Sequence, residues 1–199
     1  MKRLTLFDYG AGNLHSLGKA LAETGHDVRV ETDPRRAVET DLLVLPGVGA
    51  FQLAAARMAS GREEMRAALE SGLPAIGICL GMQLLFDESE EGEGRGLGVI
   101  PGRVERIRSP RVPHIGWNGV EPVDEGAFAR AGLEVAYYAH SFVCRPEDER
   151  VVTAWTTEGD DRFPAAVRKD RIAGVQFHPE KSSREGVALL AEMVREALR

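Results

Sequence analysis

Side-chain amides are nearly missing from this chain, with two asparagines and three glutamines in 199 residues. Cysteine is as rare: Cys79 and Cys144 stand alone, with no C-x-x-C pair. That excludes a disulfide framework and points to a reducing, cytoplasmic setting in which a cysteine is reactive or simply buried. The five histidines, His15, His26, His114, His140 and His178, fall into no H-x-x-x-H spacing or Cys/His cluster. No metal site and no cofactor are expected. No apolar run approaches the length a membrane-spanning helix needs. The opening Met1-Lys-Arg-Leu-Thr-Leu-Phe-Asp8 is too short and too early interrupted for a secretory signal. The net charge is −6, and no basic cluster interleaves with aromatics, so nucleic acid is not an expected partner.

What is present is a regular alternation. Leu4 to Phe7 reads as a strand, followed by a glycine-rich loop from Tyr9 to Asn13. A helix carries Leu14, Leu17, Ala20 and Leu21 on one face and stops at Gly25. Val28 to Val30 and Leu42 to Leu45 read as further strands. Pro46-Gly-Val-Gly49 ends the latter, and helices follow over 51–58 and 62–70. The alternation predicts an α/β fold with a doubly wound, mostly parallel sheet. In such a sheet, sites form at the carboxyl ends of the strands. After residue 97 the pattern changes. Leu97 to Ile107, Val135 to Tyr138, Val151 to Thr156, Ala165 to Arg168 and Ile172 to Phe177 read as strands. They are expected to extend the sheet antiparallel, with one of them returning to its core. A final helix starts near Ser183. Residues 1–199 are expected to form one domain, and the acidic Glu88 to Glu93 stretch to be a solvated loop.

The chemistry centres on Gly77-Ile-Cys79-Leu-Gly-Met-Gln83. An apolar strand, Ala75 to Ile78, stops at a cysteine, and a helix from Leu80 to Phe86 starts at once. Glycines at two residues before and after the cysteine make this a nucleophile elbow. The sharp turn sets the sulfur at a helix N-terminus, where free N–H groups favour a thiolate and can hold an oxyanion. A cysteine nucleophile needs a base, and the base needs an orienting partner. His178-Pro-Glu180 follows a strand, and Pro179 holds His178 extended, so that the Glu180 carboxylate reaches its ring. A Cys79–His178–Glu180 triad follows by role. Leu80 N–H offers one oxyanion donor, and Gly47-Val48-Gly49 a second. The two glycines would also let that loop turn a peptide over, presenting either a carbonyl or an N–H. Asn13 and Asn118, the chain's two asparagines, lie in glycine- and aromatic-rich segments and read either as functional groups or as turn residues.

The Gly77–Gln83 elbow with His178-Pro-Glu180 resembles the class I (triad) glutamine amidotransferases, in the same chain order. Asp8-Tyr-Gly-Ala-Gly-Asn13-Leu, Pro113-His-Ile-Gly-Trp117-Asn118, Tyr137-Tyr-Ala-His140-Ser-Phe142 and Lys181-Ser182 narrow the resemblance. Together they are similar to the glutaminase subunits of imidazole glycerol phosphate synthases. The resemblance implies hydrolysis of L-glutamine at Cys79, with His178 as acid/base and Glu180 as its orienter. It places Gly49 and Leu80 at the oxyanion. It gives Gln83 and the His140-Ser141-Phe142 backbone to the amino-acid end of glutamine. It puts Asn13, Trp117, Asn118 and Lys181 near a partner, a (β/α)8-barrel cyclase subunit in a heterodimer. Because the glutaminase reading uses the whole chain, the ammonia-consuming site is expected on that second polypeptide. Three other readings stand beside it. They are the glutaminase of another synthase, a cysteine peptidase or glyoxalase-like protein of related fold, and a degenerate regulatory scaffold.

Overall fold

The computed structural model describes residues 1–10, 14–124 and 126–199. In chain order the strands are β1 (Arg3–Phe7), β2 (Asp27–Glu31), β3 (Leu42–Leu45), β4 (Ala75–Ile78), β5 (Glu88–Ser89), β6 (Gly102–Arg106), β7 (His114–Gly119), β8 (Glu121–Pro122), β9 (Val135–His140), β10 (Phe142–Pro146), β11 (Val152–Glu158), β12 (Asp161–Lys169) and β13 (Ile172–Val175). The helices are α1 (Leu14–Ala22), α2 (Pro34–Ala37), α3 (Phe51–Met58), α4 (Arg62–Glu70), α5 (Leu80–Gln83), α6 (Ala127–Ala131) and α7 (Ser183–Ala197).

The central sheet runs β2-β1-β3-β4-β13-β12-β11-β8. Its first five strands pair in parallel, and the last three are antiparallel additions. The parallel strands are apolar on both faces because both faces are covered. On β3, Leu42 and Val44 join the core under α1 and α7, while Leu43 and Leu45 join the core under α3 and α4. Burying one such leucine contributes roughly 1.5–3 kcal/mol, so a break in this pattern would be felt. Helix α7 turns Gly186, Leu189, Leu190, Met193 and Val194 inward at helical spacing.

The returning strand is β13. It lies beside β4 with Val175 opposite Ile78. The Cys79 amide then donates to the Val175 carbonyl at 2.7 Å. This register sets the residues after β4 and after β13 side by side at the carboxyl edge of the sheet.

Three expectations need correction. The helix after Cys79 stops at Gln83 rather than Phe86. The amides of Leu97, Gly98 and Ile100 donate to the carbonyls of Leu84, Phe86 and Leu85, so the exit from the helix and the start of the expected strand 97–107 bond to each other. Only Gly102–Arg106 remains a strand, in a separate small sheet of order β10-β6-β5. Strand β9 does not extend the central sheet either; it pairs with β7 in a two-stranded ribbon. Helix α2 was not foreseen, although Asp33 caps it and Pro34 opens it.

Candidate active site

Cys79 sits at φ 49°, ψ −105°, a conformation L side chains rarely adopt. Such strain costs on the order of 1–3 kcal/mol and persists only where surroundings enforce it. Here they are backbone. A Cβ on Gly77 would lie 2.6 Å from the Gly81 carbonyl oxygen, and one on Gly81 only 2.0 Å from that of Leu45. The elbow therefore needs glycine before the cysteine to meet α5, and after it to meet β3.

His178 is extended at φ −102°, ψ 96°, and its amide donates to the Tyr137 carbonyl at 2.9 Å. Glu180 reaches it by a different route from the one expected. Pro179–Lys181 is a tight 3-10 turn, not extended chain, and it folds the Glu180 carboxylate back to 3.0 Å from His178 Nδ1. Ser182 holds this turn against β9. Its hydroxyl donates to the His178 carbonyl at 2.6 Å and accepts from the Tyr137 amide at 2.9 Å. With Nδ1 taken by Glu180, Nε2 is the nitrogen left for Cys79. Burial by itself would push the His178 pKa down. Hydrogen bonding and charge from Cys79 and Glu180 outweigh it and hold the imidazole at about 9.

Above the elbow lies a cavity of about 290 Å³. Gly47, Val48 and Gly49 line it, with Leu80 and Gln83 from α5 and the wall formed by His140, Ser141 and Phe142. Gly47 passes so close that a Cβ there would stand 2.8 Å from the Ile78 carbonyl oxygen and 3.1 Å from His178 Cε1. Gly49 has φ 122°, which favours glycine. The Tyr9 hydroxyl donates to the Pro46 carbonyl and ties this loop to β1.

The His140–Phe142 wall is fixed by a chain of side chains. The Phe142 carbonyl accepts from Gln83 Nε2 at 3.0 Å and faces His140 Nδ1 at 3.1 Å. With that proton on Nδ1, His140 Nε2 accepts from His114 Nδ1 at 3.0 Å. His114 Nε2 then meets Asn118 Nδ2 at 3.4 Å and the Glu158 carboxylate at 3.5 Å. Both rings are buried, and His114 stacks on Tyr138. Burial, with His114 beside it, pushes His140 down to about 3. Burial lowers His114 as well, against the pull of Glu158. His140 is a neutral hydrogen-bonding ring.

Lys181 lies at the cavity rim. Trp117 is 54% exposed on β7, beside the equally outward Ile115. Asn118 faces the other way and donates to the Thr157 carbonyl at 2.9 Å. Asn13 lies outside the described residues. Cys144 is fully buried on β10.

Sequence reasoning missed Glu91. It was read within a solvated loop, yet it lines the cavity, and its carboxylate accepts from the Phe51 amide at 2.8 Å. The free N–H groups at the start of α3 draw the carboxylate inward. No local signal marked it, because the start of α3 lies 40 residues earlier in the chain. Among the described residues no helix is long and apolar enough to cross a membrane.

A sequence model described as glutamine amidotransferase class-I matches residues 5–197. The chain is 45% identical over 202 residues to the imidazole glycerol phosphate synthase subunit HisH of Carboxydothermus hydrogenoformans, covering 94% of this chain and 96% of that one. With the HisH subunit of a Synechocystis species the identity is 42% over 204 residues, with 98% and 97% covered. Among solved structures, a glutamine amidotransferase superposes with a TM-score of 0.75 at 23% identity, covering 97% of this chain and 98% of that one. Another, from Thermotoga maritima, gives 0.71 at 17% identity, with 99% and 98% covered. The chain thus belongs to the class-I glutamine amidotransferase family and, within it, to the HisH subunits of imidazole glycerol phosphate synthase.

Proposed function

We propose that this chain, as a single domain over residues 1–199, is the glutaminase subunit of an imidazole glycerol phosphate synthase in histidine biosynthesis. It hydrolyses L-glutamine to glutamate and ammonia. The observation that carries the reading is the strained Cys79 at a helix start, set beside a histidine whose far nitrogen is held by Glu180.

The Cys79 thiolate attacks the side-chain amide carbon of glutamine. The Leu80 N–H and the Gly47–Gly49 backbone receive the charge that develops on the carbonyl oxygen. His178 protonates the departing nitrogen, ammonia leaves, and a γ-glutamyl thioester remains. His178 then takes a proton from water, whose oxygen adds to the thioester carbon. The C–S bond breaks, its electron pair returns to sulfur, and glutamate is released. No metal or organic cofactor enters these steps. Gln83 and the His140–Phe142 segment hold the amino-acid end of the substrate, and the Glu91 carboxylate is suited to its ammonium.

The ammonia passes to a (β/α)8-barrel cyclase subunit docked over the cavity mouth. Lys181 at the rim and the exposed Ile115 and Trp117 on β7 support docking on that face. The test is a glutaminase assay of the chain alone and with a cyclase subunit and its nucleotide substrate. Stimulation by the loaded cyclase is expected. Glutamine turnover that ignores it would point to the glutaminase of another synthase.

A further inference from the structure

Gln176 is a buried polar side chain that the steps above leave unused. It follows β13 directly, and its backbone amide donates to the Ala165 carbonyl at 2.9 Å. The side chain is fully buried. Its Nε2 lies 3.6 Å from Cys79 Sγ, while its Oε1 has no protein partner. A buried amide with an unpaired oxygen destabilises a fold, and an apolar side chain of equal length would avoid that. The chain has only three glutamines, and this one stands against the sulfur. The β4–β13 register puts it there, since Gln176 and Cys79 are the next residues after the Val175–Ile78 pair.

We propose that Gln176 is a catalytic residue whose amide N–H donates to Cys79 Sγ and favours the thiolate. The proposal rests on Cys79 being the nucleophile. A hydrogen bond to an anion is about twice as strong as one between neutral groups. The donor therefore favours the thiolate over the thiol before attack, and over the thioester afterwards. It acts again when the C–S bond of the second tetrahedral intermediate breaks and the electron pair returns to sulfur. The other titratable groups near Sγ are His178, Tyr9 and Cys144. Burial pushes Tyr9 and Cys144 well up, so both stay protonated at neutral pH.

The test is alkylation of the full chain by iodoacetamide between pH 5 and 10, read at the Cys79 peptide by mass, together with thermal unfolding. Gln176→Met keeps length and removes the donor. Its alkylation midpoint is expected to rise by about one pH unit, a tenfold loss of rate below the midpoint, with a melting temperature equal to or above wild type. Gln176→Glu keeps the shape but sets an acid against the sulfur, and its midpoint is expected to rise further. Two variants alkylated with the wild-type midpoint, whatever their melting temperatures, would overturn the proposal. A Cys79→Ala variant that keeps glutaminase activity would instead overturn the nucleophile reading, and this proposal with it.

Discussion

Two buried histidines line one cavity and end in opposite charge states. His178 belongs to the turn after β13, and His140 closes the β7–β9 ribbon. Burial pushes both toward the neutral form. His178 has a carboxylate on one nitrogen and a sulfur near the other, and it is held at about 9. His140 has a carbonyl on one side and a second imidazole on the other, and it falls to about 3. Depth is therefore not what separates a proton carrier from a fixed hydrogen-bond post. The partners on the two nitrogens decide, Cys79 first and then Glu180 at His178, because only charged partners offset the desolvation of an imidazolium.

The largest effect is expected where that imidazolium has its sulfur. Cys79→Gly removes the nucleophile and also the strain at φ 49°. Glutaminase activity is expected to fall on the order of 10⁴-fold or more, while the melting temperature rises. Retained activity would remove the triad, and a lower melting temperature would mean the elbow is not strained. Next comes Glu180→Gln, which keeps the geometry and removes the charge. A loss in kcat of about 10²–10⁴-fold is expected, and His178 followed by NMR should titrate well below its wild-type value. A variant His178 that still titrates near 9 would break the comparison, leaving Cys79 alone to hold the proton.

The two walls also differ in how far the sequence announced them. The elbow was legible because its requirements are local. A strand, a cysteine and glycines at fixed offsets describe one turn, and Gly77 and Gly81 meet backbone for the steric reason their spacing implies. The parallel half of the sheet was legible too, since β3, α3, α4 and β4 carry uninterrupted apolar or helical patterns. The ribbon wall was not. Strand β7 turns Ile115 and Trp117 outward and His114 inward, so its pattern inverts the usual apolar-in alternation. The His114–His140 contact joins residues 26 apart through a pairing that no local spacing encodes. Glu91 escaped for a related reason: its role depends on the start of α3, 40 residues earlier.

A smaller effect tests the ribbon wall. His114→Phe keeps a flat ring against Tyr138 but removes the donor to His140 Nε2. One hydrogen bond of about 1 kcal/mol corresponds to roughly a fivefold change. That change is expected in KM for glutamine, with kcat little altered, because the ribbon positions the Phe142 segment and does not touch the reacting amide. A drop in kcat at constant KM would make His114 part of proton transfer and erase the contrast with His178.

The last test is one of pH on stability, and the two histidines contribute with opposite sign. The folded chain binds a proton at His178 up to about pH 9, whereas an unfolded histidine releases it near 6.5. Between these values the folded state holds more protons, so this contribution is fully present below pH 6.5 and is lost as pH rises toward 9. At His140 the folded state refuses a proton down to about pH 3. Between 3 and 6.5 the unfolded state holds more protons, and the chain is expected to lose stability as pH falls through that window, with the lowered His114 adding to the loss. Denaturant unfolding across pH 4 to 10 is therefore expected to show a maximum close to pH 6.5. In Glu180→Gln the alkaline decline should flatten while the acid limb stays, since only one of the two walls has lost its charged partner. An alkaline limb that persists unchanged in that variant would assign it to groups other than His178.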